Sequence, residues 1–308
     1  MIFFCIIFAS LILSAKPTSA SSITDSTTSE PVQPILESKL VDLDTAAKIL
    51  LLGETVVRSK DLMDFYEARN RKAAWIVGNS PKLAAWQLMD EVRNCEREGL
   101  EPSDYHLRIL DSLLSKYNRQ IFWQRRHDPF TSASLEILLT DSYLKFARHL
   151  LSGRTQPKIP QDIWHVNQEK IELPAYLEKN LNEKKDVGMA LKALTPPQVE
   201  YGKMKYWLGE YQKLAKKGGW QLIPDGPAMG RDSTGPRVVA LCARLKVSGE
   251  MGWGACGDNY SAELEKAVKK FQKSHGLDIT GVASTSTVKA LNISVEECTD
   301  QIELNLDS

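Results

Sequence analysis

From Gly218 to Gly235 the chain reads GGWQLIPDGPAMGRDSTG, and no helix of ordinary length fits through it. Pro224 and Pro227 lack the amide hydrogen that a helix interior needs, and the glycines add backbone entropy that a helix would have to remove. Apolar side chains recur at helical spacing before this stretch and again from Pro236 onward. The sequence therefore divides into a long N-terminal helical region and a small terminal unit.

The long region, residues 35 to 217, is read as an irregular all-α scaffold. In SPKLAAWQLMDEVRNCEREGL, Ser80 is placed to cap a helix whose first residue is Pro81, with Leu83, Trp86, Leu88, Met89 and Val92 on its apolar face and Gly99 as its stop. In TSASLEILLTDSYLKFARHLLSGR, a broad stripe of Leu135, Leu138, Leu139, Leu144, Ala147 and Leu151 predicts a long helix ending near Gly153. The prolines of TQPKIPQDIWHVNQ interrupt regular structure, and the helical pattern resumes across VEYGKMKYWLGEYQKLAKK. Trp75, Trp86, Trp123, Trp164 and Trp207 fit core or interface packing, and His106, His127, His149 and His165 fit structural or solvent-facing positions.

Lys plus Arg and Asp plus Glu balance to a formal net charge of +0, so no overall field favours a nucleic-acid partner. The first residues, MIFFCIIFASLILSA, are apolar but short for a membrane span, and they read as a signal peptide over residues 1–20, cleaved after Ala20. Left uncleaved, the same segment would anchor the chain in the inner membrane. Residues 21–34, rich in Ser, Thr and Pro, read as a flexible leader. Export, with a periplasmic destination, permits disulfides. Cys95, Cys242, Cys256 and Cys298 allow three complete pairings, of which Cys242 with Cys256 closes a short loop. Their spacing fits no recurrent zinc pattern, and neither metal nor cofactor is called for.

The terminal unit over residues 236–293, after a linker at 218–235, predicts three helices. Pro236 opens the first, with Val238, Leu241, Cys242 and Leu245 on one face and Gly249 as its end. Ser261 caps the second, which carries Leu264, Ala267, Val268 and Phe271 and ends at Gly276. Ser284 caps the third, closed by Val288 and Leu291.

The run AVKKFQKSHGLDITGVASTSTVKALN resembles the three-helix peptidoglycan-binding module at Ala267, Val268, Phe271, Gln272, Gly276, Leu277, Gly281, Thr287, Ala290 and Leu291. Thr280 stands where the module usually has Asp, and Ala283-Ser284 where Gly-Pro is common. The segments FYEARNRKAAWI, CEREGLEPSDYH, LLTDSYLKFARHLLSGRTQP, YQKLAKKGGW and PRVVALCARLKVSG follow the order of the scaffold and peptidoglycan-binding portions of large periplasmic murein L,D-transpeptidases. The resemblance implies peptidoglycan as a partner. Trp253, Asn259, Tyr260, Gln272 and His275 are candidate contacts because they flank the second helix and its loops. The competing readings are that Gln272 orients a turn, that Tyr260 packs and that His275 ends a helix.

The catalytic half of that family needs a cysteine in a Ser-x-Gly-Cys-x-Arg setting after a His-Gly pair, so that a thiolate attacks a peptide carbonyl. The cysteines here lie in FFCII, RNCER, ALCAR, GACGD and EECTD, so no catalytic residue is assigned. Residues 294–308 read as a connection to an absent catalytic domain. The expectation is a non-catalytic, wall-associated scaffold. One alternative is a fragment of a transpeptidase served by a cell-wall enzyme or a separately encoded catalytic domain, and another is a protein-interaction scaffold without wall binding.

Overall fold

The computed structural model describes residues 32–78, 80–120, 128–154 and 171–306. The expected signal peptide, almost all of the leader, Cys5, Trp123, His127, Trp164 and His165 lie outside the described residues. The described part is all-α, with two small two-stranded sheets.

Helix α5, Pro129–Ser152, is the axis of the first unit. Its start is fixed by Asp128, whose carboxylate accepts from Thr131 N at 3.0 Å, and by Pro129 in the first turn. Gly153, at φ 71, ends it. Helices α1 (Gln33–Ala46), α2 (Lys60–Ala68), α3 (Leu83–Arg93), α4 (Leu107–Gln120) and α6 (Leu173–Asn182) all pack against α5. Residues Ser132 to Leu144 of α5 are therefore buried on every side, not along one stripe as the sequence predicts. Leu151, expected in the stripe, is only half-buried.

Burial on all sides puts two carboxylates of α5 inside, and each is satisfied. Glu136 accepts from three consecutive backbone amides, Ala74 N at 2.6 Å, Trp75 N at 2.9 Å and Ile76 N at 3.0 Å, and from the Tyr66 hydroxyl at 3.2 Å. Asp141 faces His106 Nε2 at 2.8 Å and Lys145 Nζ at 2.6 Å, while His106 Nδ1 meets Glu54 at 2.9 Å. Unpaired, either charge would be costly in this setting.

The Ser80–Pro81 cap does not form. These residues are strand β4, paired antiparallel with β3 (Ile76–Val77), and α3 begins at Leu83 with Lys82 in the cap position. Glu136 holds the backbone of 74–76, and Lys82 N donates to Trp75 O at 2.8 Å, so Pro81 is drawn into the hairpin instead of the helix. A second hairpin, β1 (Lys48–Leu51) with β2 (Glu54–Val57), turns through Leu52 and Gly53, both at positive φ. Helix α1 begins at Gln33, inside the expected leader, because Val32 and Leu36 are buried in the core.

After α7 (Val187–Lys192) and α8 (Val199–Ala215) the chain enters a second apolar cluster formed by α9 (Pro236–Val247), α10 (Ala262–Ser274) and α11 (Thr285–Leu291). The stretch expected as a linker contributes to this cluster. Ile223 and Met229 are buried in it, Met229 pairs with Ala283 through two backbone bonds, and Trp220 Nε1 donates to Ile293 O at 3.0 Å. Asn292 binds both backbone groups of Ile223, each at 2.9 Å, and so ties the entry of the unit to its exit.

Residues 294–308, expected as a connection, include helix α12 (Val295–Leu306). It lies on α8 and reaches Gly99, where an added Cβ would stand 3.3 Å from Leu306 Cδ1. Between them is a cavity of about 280 Å³ whose lining includes Glu96, Glu101, Arg154, Lys216, Asp300 and Glu303. Burial raises the Glu303 carboxyl above its usual range, and Asp300, Glu101 and Glu96 push the same way. A carboxyl shifted upward stabilises the fold fully below its unfolded pKa and loses that contribution as pH rises through the folded value. Glu303→Gln is therefore expected to raise the melting temperature near pH 7 and to lose that advantage at about pH 4. Thermal scans by circular dichroism at the two pH values check this, and equal melting at both would refute it.

Candidate functional site

The second unit is built from short helices with defined ends. Ser261 Oγ accepts from Leu264 N at 3.2 Å to start α10, and Ser284 Oγ accepts from Thr287 N at 3.3 Å to start α11. Gly276, at φ 63, ends α10, and Leu277 N then donates back to Gln272 O at 2.9 Å. Ala267, Val268, Phe271 and Leu291 are buried in the cluster, with Leu277 and Ala290 packed against it.

Gln272 is only 1% exposed, and it organises the turn between α10 and α11. Its Oε1 accepts from Gly281 N at 2.9 Å, and its Nε2 donates to Val282 O at 2.9 Å and Thr287 Oγ1 at 3.1 Å. Thr280 supplies what the Asp of the usual pattern would. Its hydroxyl accepts from Val282 N at 3.1 Å, a short side-chain-to-backbone bond of the kind that Asp also makes in turns. Tyr260 is buried, and its hydroxyl donates to Gly281 O at 2.7 Å. Burial pushes that phenol up to about 12. The structure thus places Gln272 and Tyr260 as supports beneath the 280–284 turn, with their polar atoms engaged internally.

Trp253 and Asn259 lie instead on the loop between α9 and α10. Trp253 is 89% exposed. The loop is tied at several points: Cys242 and Cys256 form a disulfide, Lys246 Nζ donates to Gly254 O, and Lys270 Nζ donates to Gly249 O at 2.9 Å. Its far end is sewn to the segment that enters α9, where Gly235 N donates to Asp258 O at 2.7 Å and Thr234 pairs with Asn259. A large aromatic ring is therefore presented to solvent on a restrained backbone. This arrangement suits stacking on a sugar or an apolar ligand face with little ordering cost.

His275 is not brought to this loop's end. It caps the C-terminus of α10, about 20 Å along the helix from the Asn259 end at 1.5 Å per residue. Its ring stacks on Phe271 with centroids 3.8 Å apart, and Nδ1 lies 2.9 Å from Phe271 O. Beside the α10 start, Glu265 is held by Arg231 Nε at 2.6 Å and Lys269 Nζ at 2.7 Å, hydrogen bonds that pull its carboxyl down to about 2.

Sequence reasoning missed the clasp at the base of the unit. Arg244, buried on α9, donates to Leu291 O at 2.8 Å and lies 3.7 Å from the Trp220 ring centroid. The available signal was a tryptophan set among glycines, a position at which a loop gains only by anchoring.

Comparison with known families gives two matches. Residues 60–208 match the family described as "Scaffold domain", and residues 234–291 match the family described as "Putative peptidoglycan binding domain". A search of curated proteins finds no match. The first match spans most of the α5-centred unit, and the second runs from Thr234, bridged to Asn259, to the end of α11. The chain therefore matches a scaffold family over its first unit and, after it, a peptidoglycan-binding family over its second.

Proposed function

We propose that this protein is an exported, wall-associated binding protein related to murein L,D-transpeptidases, in which the second unit holds peptidoglycan and the first positions it. The observation that carries the reading is the Trp253 loop, disulfide-closed and exposed, on a unit that matches a peptidoglycan-binding family. Trp253 is the stacking surface, and Asn259 is the polar neighbour on the same loop.

The cysteines support binding over acyl transfer. Cys242 and Cys256 are consumed in the disulfide. The Cys95 thiol is buried, bonded to Leu100 O at 3.3 Å and pushed up to about 12 by burial, and burial also raises Cys298. A nucleophilic cysteine needs the opposite shift, toward the thiolate at neutral pH.

The test is cosedimentation of the full chain with isolated peptidoglycan sacculi. Wild type is expected in the pellet, and Trp253→Ala is expected to bind about tenfold more weakly with an unchanged circular dichroism spectrum, as for an exposed aromatic anchor. Wild type remaining in the supernatant at several salt concentrations would reject wall binding in favour of a protein-interaction scaffold. Cross-linked or exchanged stem peptides in the same incubation, seen by mass spectrometry, would reject the non-catalytic reading.

A further inference from the structure

The Trp253 loop leaves one aromatic surface unexplained. On α8, Tyr206 is 62% exposed and Trp207 is 51% exposed, although the opposite face of the helix buries Leu208. These rings begin a continuous series. Tyr206 meets Trp207 edge-on at 5.4 Å between centroids, Trp207 meets Tyr211 at 6.2 Å, and Tyr211 meets Trp220 at 6.1 Å. Trp220 is in turn held by Arg244 of the peptidoglycan-binding unit and by Ile293 O. The series therefore runs from the exposed side of the scaffold to the base of the binding unit without a break.

Two features say what would lie on it. It is continuous with the unit that matches a peptidoglycan-binding family. Lys203, four residues before Trp207, and Glu210, four after Tyr206, share this face of α8, so the rings stand between charges of both signs. Exposed rings on such a face match the flat apolar faces of pyranose rings, on which aromatic side chains stack.

Resting on the wall-binding reading above, we infer that the Tyr206–Trp207–Tyr211–Trp220 series is a second contact for peptidoglycan, taking the glycan strand, not the stem peptide. It lengthens the bound segment of one strand beyond the Trp253 loop and so adds affinity for polymer over fragment.

The test uses the full chain and the double variant Tyr206→Ala/Trp207→Ala, whose side chains are exposed and whose removal leaves both apolar cores intact. Binding is measured to sacculi, to glycan strands stripped of peptide, and to free stem peptides. The double variant is expected to bind peptide-free glycan strands at least about fivefold more weakly than wild type, the size expected for losing aromatic stacking, while stem-peptide binding is unchanged. If wild type fails to bind sacculi, the wall-binding reading falls and this inference falls with it. If wild type binds and the double variant binds glycan strands equally well, this inference alone is overturned. Concentration-dependent self-association of wild type that the double variant abolishes, with glycan binding intact, would assign the surface to a second copy and overturn it equally.

Discussion

Glu136→Ala should destabilise the N-terminal unit by about 4 kcal/mol, a large fraction of what a domain of this kind holds. The carboxylate terminates three successive backbone amides and the Tyr66 hydroxyl in a site with no solvent access. Removing it leaves those donors buried and unpaired, at about 1–3 kcal/mol for each group that cannot relax to another acceptor. It also releases the 74–77 segment, on which the β3–β4 hairpin and the start of α3 depend. Urea denaturation followed by circular dichroism measures the loss. Glu136→Gln keeps one acceptor oxygen but turns an amide toward the same donors, so an intermediate loss is expected. A fully stable Glu136→Ala protein would show that the hairpin is held by its neighbours and not by the carboxylate.

The second large effect is expected from the paired replacement Cys242→Ala/Cys256→Ala. A bridge with sequence separation 14 stabilises by about 3 kcal/mol through the unfolded chain it restricts, a large share of what a unit of this size holds. The pair should therefore lower the denaturation midpoint of the second unit and weaken sacculus binding by more than Trp253→Ala alone, because loop and ring lose their tie together. Treatment of wild type with a dithiol reductant should reproduce the effect. Unchanged stability and binding after verified reduction would show that Lys246, Lys270 and the Asp258 carbonyl hold the loop by themselves.

Much of the terminal unit was legible because its signals are local. Ser261, Gly276 and Ser284 act within one turn of where they stand, and Val238, Leu241, Leu264, Val268 and Phe271 declare their faces by spacing alone. The first unit was read less fully because its decisive contacts are distant in sequence. Glu136 meets the backbone of residues 74–76, and nothing near Ser80 announces that Pro81 will be claimed by a hairpin. Leucine periodicity shows one side of α5 only, so sequence alone predicts a two-faced helix. That Glu136 and Asp141 are interior follows from the helices that surround α5, which no window of its own sequence contains. Among the candidate contacts, Gln272 and Tyr260 do flank the second helix and its loops, but their polar atoms are directed inward, which position in the sequence does not show.

The Asn292 side chain, bound to both backbone groups of Ile223 beside the Trp220–Ile293 bond, has a mechanical meaning. Incoming and outgoing strands meet at one stem, so tension along the main chain is borne across that stem and not through the helices above it.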